Sequence, residues 1–180
     1  MIFEEIWGAL ETNKVKILVN SLQGEFIYRA ASGKKNIVEI GTWRGGTAAI
    51  LGAAGKNVYT IDDYSYSDIQ QTSPEEVKEN LKKVGIKNIK VFIGKSHEWA
   101  LKWKMPIDLL FIDGDHQYES VKQDIEDWLP HVIFGGSIIF DDYSSLKATV
   151  GRAADEAVDA GFLKMIGGVN ASASVLAKKL

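Results

Sequence analysis

The sequence predicts an open, doubly wound α/β sheet, mostly parallel and ending on an antiparallel strand. Three observations carry this. Short apolar runs alternate with amphipathic helical patterns, a glycine-bearing turn joins the first run to an Ala-rich segment, and the alternation ends in two consecutive strand patterns.

Two N-terminal segments, Phe3–Leu10 and Val15–Leu22, read as one or two helices that either pad the sheet or cover a site. Five strands are expected at Asn36–Ile40, Asn57–Ile61, Ile89–Ile93, Ile107–Ile112 and Ser137–Phe140. Each is nearly all apolar, as parallel strands covered on both faces must be. Ser73-Pro74-Glu75-Glu76 is a capping box with proline at the first helical position, followed by Val77, Leu81 and Val84 at helical spacing and by Gly85 as a stop. Val121, Ile125, Trp128 and Leu129 give the next helix one apolar face before Pro130. A further helix is expected from about Ser145, with Leu146, Val150, Ala153 and Ala157 inward, to Gly161. Phe162–Ile166 and Ser172–Ala177, joined by Gly167-Gly168-Val169-Asn170, then read as a hairpin.

At 180 residues with 46% hydrophobic and 25% charged composition, the chain fits one globular domain, residues 1–180, with residues 1–30 as N-terminal helices. It contains no cysteine, which excludes disulfides and thiolate metal sites and favours a reducing cytoplasm. A net charge of −3 leaves no basic footprint for nucleic acid, and the lysines at Lys87–Lys90 and Lys178–Lys179 read as solvated faces. No apolar run reaches the ~18 residues of a membrane span, and the N-terminus, with Glu4 and Glu5, lacks a basic leader.

The chemistry concentrates after the first strand, in Val38-Glu39-Ile40-Gly41-Thr42-Trp43-Arg44-Gly45-Gly46-Thr47. In open α/β sheets ligands sit beyond the carboxyl ends of the strands, and glycine there lets a ligand approach the backbone. The dinucleotide pattern G-x-G-x-x-G is broken by Thr42-Trp43; the pattern present is E-x-G-x-x-x-G. The second strand ends in Asp62-Asp63, at a spacing suited to a carboxylate that accepts from two ribose hydroxyls. A nucleoside cofactor follows, without a choice between nicotinamide and methyl-donor types.

Downstream lie Phe111-Ile112-Asp113-Gly114-Asp115-His116-Gln117-Tyr118 and Gly135-Gly136-Ser137-Ile138-Ile139-Phe140-Asp141-Asp142-Tyr143. With Val38–Thr47 and Ser21-Leu22-Gln23-Gly24-Glu25, they resemble the class I S-adenosylmethionine-dependent methyltransferases related to catechol and macrocin O-methyltransferases. The resemblance runs from Ser21 to Tyr143 and implies a Rossmann-like sheet of seven strands with an antiparallel last strand. It also implies S-adenosylmethionine as methyl donor, seated by Glu39, Gly41, Thr42, Gly45, Gly46, Asp62, Ser96 and Asp113. Metal-dependent relatives take three oxygen ligands from the ends of the fourth and fifth strands, matched here by Asp113, Asp141 and Asp142, a set suited to Mg²⁺. The third position is an amide in the catechol enzymes, so Asp142 is closer to the sugar-modifying macrocin type. The alternative is that Asp141 and Asp142 only cap the following helix.

His116, three residues after Asp113, stands where catechol-type members carry a general-base lysine, and imidazole can do that work near neutral pH. It reads equally as a packing residue at a helix start. Trp43, Trp99 and Trp103 read as core or cofactor wall; His97 and His131 receive no role. The expected reaction is transfer of a methyl group to a hydroxyl of a small, sugar-like or polyhydroxylated acceptor. The expected partner is that acceptor, with homo-oligomerisation left open. A nicotinamide oxidoreductase and a cofactor-binding module without catalysis stay as alternatives.

Overall fold

The computed structural model describes residues 1–65, 72–169 and 174–180. Helices α1 (Phe3–Thr12) and α2 (Ser21–Ala31) precede strand β1 (Asn36–Ile40), α3 (Gly46–Ala54) and β2 (Asn57–Asp62). Then come α4 (Pro74–Lys83), β3 (Ile89–Ile93), the short α5 (Ser96–Ala100), β4 (Ile107–Ile112) and α6 (Tyr118–Trp128). The chain closes with β5 (Val132–Phe140), α7 (Arg152–Asp159), β6 (Leu163–Gly168) and β7 (Val175–Lys179).

The seven strands run in the order β3-β2-β1-β4-β5-β7-β6. Pairs from β3 through β5 are parallel, whereas β7 runs antiparallel to both β5 and β6. Strand alternation sorts the apolar residues onto two faces. Val38, Ile40, Leu110, Ile112, Ile138 and Phe140 meet α6 and α7 through Val121, Ile125, Trp128 and Ala153. Ile37, Val58, Leu109, Phe111 and Ile139 meet the opposite layer through Ile6, Ile27, Ile50, Leu51, Val77 and Leu81. Each such side chain, fully buried, stabilises the fold by roughly 1.5–3 kcal/mol relative to exposure. Of the strands expected from the sequence, β1, β2, β4 and the Ser137–Phe140 part of β5 are covered on both faces, whereas the edge strand β3 is only partly buried, with Ile93 exposed.

Several boundaries differ from the expectation. Of Val15–Leu22 only Ser21 and Leu22 are helical: α1 ends at Thr12, Lys14 turns at φ +54°, and α2 starts at Ser21. Asn20 caps it, accepting from Gln23 N at 3.1 Å while Gln23 Oε1 accepts from Asn20 N at 3.0 Å. At Ser73 only half of the expected box forms. Ser73 Oγ accepts from Glu76 N at 3.2 Å, but the Glu76 carboxylate turns to Arg44 at 2.7 Å instead. Before α7, Lys147–Gly151 forms a π-turn rather than regular helix. Gly167 and Gly168 lie within β6, not in a turn. Asn170 and residues 172–173 of the expected last strand lie outside the described residues.

Candidate functional site

Strand order reverses between β1 and β4, and this switch point opens a crevice at their carboxyl ends. The strand ends are stitched together: Asp113 N donates to Ile40 O at 2.9 Å, Gly41 N to Ile61 O at 2.9 Å, and Asp141 N to Ile112 O at 3.0 Å. Gly41 has φ +85°, and a Cβ there would come within 2.0 Å of the Asp113 carbonyl oxygen. Its glycine is required first by the protein's own backbone. Gly45, at φ +81°, starts α3, where a Cβ would press to 3.1 Å from Val77. Gly46 is backed by Lys16 and Ile17, so residues between α1 and α2 lie against the glycine loop. The N-terminal helices therefore pad α3, and their connection borders the crevice.

Glu39 is completely buried, and its Oε2 accepts from the Thr60 hydroxyl at 2.6 Å. Thr42 contacts Thr60 through its hydroxyl, extending this buried polar chain to the glycine loop. Glu39 Oε1 has no hydrogen-bond partner among the described residues. Burial pushes the Glu39 carboxyl up to about 8, against the pull of the Thr60 and Thr47 hydroxyls. An unpaired buried carboxyl oxygen at the end of β1 fits a donor or cation that a cofactor would bring.

Asp62 sits at the end of β2, as expected, but much of its carboxylate is already engaged. Oδ2 accepts from the backbone N–H groups of Thr42 at 2.8 Å and Trp43 at 2.9 Å, and Oδ1 accepts from Tyr64 N at 2.8 Å. Its neighbour Asp63 is exposed and closes a local turn with Ser65. The sequence reading missed a second grip on the loop. Asn80, buried on α4, donates to Arg44 O at 3.1 Å, and Thr72 donates to Trp43 O at 3.1 Å. A polar residue between the inward-facing Val77 and Leu81 was the available signal.

Ser96 is not free to offer its hydroxyl. It accepts from Trp128 Nε1 at 2.7 Å and helps hold Asp124, whose carboxyl burial raises to about 6. That leaves the Ser96 main chain for any cofactor contact. Trp99 and Trp103 belong to an aromatic stack with Phe92 and Tyr59 behind this corner, consistent with core or wall.

The acidic corner lies at the ends of β4 and β5. His116 Nε2 stands 3.3 Å from Asp113 Oδ1, and Nδ1 stands 4.0 Å from Asp142 Oδ2. Burial pushes the Asp113 carboxyl up to about 7; His116 opposes this and Asp141 and Asp142 reinforce it. Burial likewise raises Asp141, despite the hydroxyl of buried Ser174 donating to it. Asp113, and then the other two carboxylates, raise the His116 imidazole above its ordinary value. Asp142, at φ +54°, accepts from Ser145 Oγ at 2.7 Å, and its carbonyl accepts from Leu146 N at 2.8 Å, which is cap-like geometry.

The three aspartates are therefore neighbours electrostatically but are not gathered around one point. Among the described residues, no three His, Asp or Glu side chains stand close enough to hold a metal ion. Asp141 turns to Ser174, Asp142 turns to Ser145, and the imidazole stands beside Asp113 and Asp142. Also among the described residues, no helix is long and apolar enough to cross a membrane.

Residues 38–143 match the family described as Methyltransferase domain. A protein of Acanthamoeba polyphaga mimivirus is 33% identical over 115 residues, covering 61% of this chain and 52% of that protein. The matched stretch thus spans about half the length of this curated relative. An O-methyltransferase from Bacillus cereus, solved in complex with SAH, aligns with TM-score 0.73 at 17% identity, covering 99% of this chain and 90% of that one. TomG from Streptomyces achromogenes is an O-methyltransferase involved in tomaymycin synthesis, solved with SAM. It aligns with TM-score 0.73 at 15% identity, covering 99% and 91%. At such identities the likeness to both structures is one of fold.

Proposed function

The chain belongs to the methyltransferase-domain family, and from that premise we propose that it transfers the sulfonium methyl of S-adenosylmethionine to a hydroxyl oxygen of a small, polyhydroxylated acceptor. The observation that carries this is the buried, unpaired Glu39 oxygen beneath an E-x-G-x-x-x-G loop at the switch point of the sheet. Glu39, Gly41, Thr42, Gly45 and Gly46 form the cofactor cradle. Asp62 holds the loop and takes the ribose with its remaining lone-pair capacity; Asp113 and the Ser96 main chain border the cradle farther along. The family membership disfavours the nicotinamide alternative.

In the reaction the sulfur–methyl bond breaks as the oxygen–methyl bond forms, and the hydroxyl proton must go elsewhere. His116 accepts it, with Asp113 Oδ1 standing 3.3 Å from its Nε2 as the adjacent negative charge. The rest of the work is positioning, which can supply roughly 7–11 kcal/mol. The donor set at the acidic corner is oxygen-only and suits Mg²⁺ in kind, though its carboxylates are not gathered as placed. Asp113, Asp141 and Asp142 would hold the ion, which when bound would offset their repulsion and acidify an acceptor hydroxyl.

Calorimetry with S-adenosylmethionine and NADH, followed by turnover of labelled S-adenosylmethionine over an acceptor panel, tests the proposal. The methyl donor should bind with micromolar affinity and NADH should not. His116→Ala should lower methyl transfer about 10²–10⁴-fold with cofactor affinity intact. Preference for NADH would overturn the cofactor assignment; equal loss of cofactor binding and rate would move His116 into the cofactor wall.

A further inference from the structure

The far edge of the sheet carries charge that methyl transfer does not use. Residues 78–90 hold five lysines against one acid, Glu79, within a chain of net charge −3. Lys83 is answered by Glu79 at 3.0 Å, and Lys90 lies over the Tyr59 ring at 5.6 Å. Lys78, Lys82 and Lys87 make no hydrogen bond or ion pair among the described residues. These three surround a cavity of about 190 Å³ whose walls include Leu81, Ile86, Ile89 and Val91.

The cavity lies between α4 and β3, the outermost strand, which pairs only with β2 among the described residues. Size and charge together select its occupant. Small-molecule sites enclose roughly 300–1,000 Å³, so a cavity of about 190 Å³ is too small for a cofactor. It is suited to an apolar side chain that anchors a larger partner. Edge lysines commonly discourage strand-to-strand aggregation. That accounts for Lys90 on β3, but not for Lys78 and Lys82 on α4 or Lys87 in the connecting turn. A nucleic-acid backbone would use the lysines and leave the apolar walls unsatisfied.

We propose that this edge docks an extended acidic segment of a protein partner, with one apolar side chain filling the cavity and flanking carboxylates facing Lys78, Lys82 and Lys87. The edge of β3 that no described strand pairs with offers main-chain pairing to such a segment, and the lysine rim steers its approach. The cavity is lined by the last turns of α4, the connecting turn and the start of β3, whereas the cofactor crevice lies at the carboxyl ends of the strands, so docking at the cavity leaves the crevice open.

Ten-residue peptides selected by display on the full chain, then measured by fluorescence anisotropy as synthetic labelled copies, test this. Acidic sequences with a central Leu, Ile or Phe should be enriched. Charge reversal at two exposed positions, Lys82→Glu with Lys87→Glu, should weaken them at least tenfold while S-adenosylmethionine binding is unchanged. Replacing the peptide's central apolar residue with Asp should weaken it as much, which keeps the cavity's part testable without altering the protein. Three outcomes would overturn the proposal: no enrichment of acidic peptides, enriched peptides that bind the charge-reversed chain equally well, or single-stranded RNA binding the same lysines more tightly than any of them.

Discussion

Glu39 and Asp62 stand at the ends of adjacent strands, and the backbone around them gives the same functional group opposite states. Asp62 accepts from three backbone N–H groups, whereas Glu39 accepts at one oxygen from the Thr60 hydroxyl and has its other oxygen unpaired among the described residues. With its carboxyl raised from 4.5 to about 8, Glu39 keeps a proton in the folded chain that the unfolded chain has released between those values. Stability from this group is therefore fully present below pH 4.5 and is lost as pH rises through about 8. Glu39→Gln, a neutral isostere, should flatten the fall in melting temperature between pH 5 and 8 seen in the cofactor-free wild type. Parallel curves for the two proteins would mean that Glu39 is ionised in the folded state. For Asp62, replacement by Ala should weaken S-adenosylmethionine binding by roughly 1–3 kcal/mol in calorimetry, because loop donors and ribose lose their acceptor together. Asp63→Ala should change it little, since that side chain only closes a surface turn. Equal affinities for both variants would remove Asp62 from the cradle.

Helix α4 packs on the sheet and also grips the glycine loop through Asn80, at a carbonyl, where Asp62 holds its N–H groups. Asn80→Ala removes the donor to Arg44 O from a buried position. It should cost about 1–3 kcal/mol in urea denaturation and weaken cofactor binding. Glu79→Ala, on the exposed side of the same helix, should leave cofactor affinity unchanged. Retained affinity in Asn80→Ala would show that Asp62 alone shapes the loop. This clamp was illegible in the sequence because it joins residues 36 positions apart. The parallel strands were legible because burial on both faces forces continuous apolar runs. The Val15–Leu22 segment was misread because Val15 and Val19 bury at helical spacing without being helical. The Asn20/Gln23 box marking the true start of α2 was in plain view. The expected Ser137–Phe140 is the part of β5 in continuous register with β4; Val132 pairs separately with Ile107, across a register shift between Ile107 and Leu109. Ser96 was found by position, but its side-chain commitment to Trp128 depends on α6 folding over α5 and could not be read locally.

Doubly wound topology brings the ends of β4 and β5 side by side, and with them Asp113, Asp141 and Asp142. Burial and mutual repulsion raise Asp113 to about 7 and raise Asp141 as well, so the corner holds fewer negative charges at neutral pH than its residues could supply. Two arrangements can relieve such repulsion. Protons and the His116 imidazole do so within the chain as it stands, whereas a hard divalent cation would do so from outside. The second is expected to support turnover, because the imidazole cannot both neutralise the aspartates as a cation and accept a proton as a base. Chelation with EDTA should therefore abolish methyl transfer and added Mg²⁺ should restore it. Affinity for S-adenosylmethionine should largely survive chelation, since of the residues that seat the cofactor only Asp113 is shared with the acidic corner. In the cofactor-free protein Mg²⁺ should also raise the melting temperature of the wild type, and do so less in Asp142→Asn, by ordinary linkage of a ligand to the folded state. Turnover that ignores EDTA, together with a melting temperature that ignores Mg²⁺, would leave Asp141 and Asp142 holding Ser174 and Ser145, and would assign relief of the corner to protons and His116.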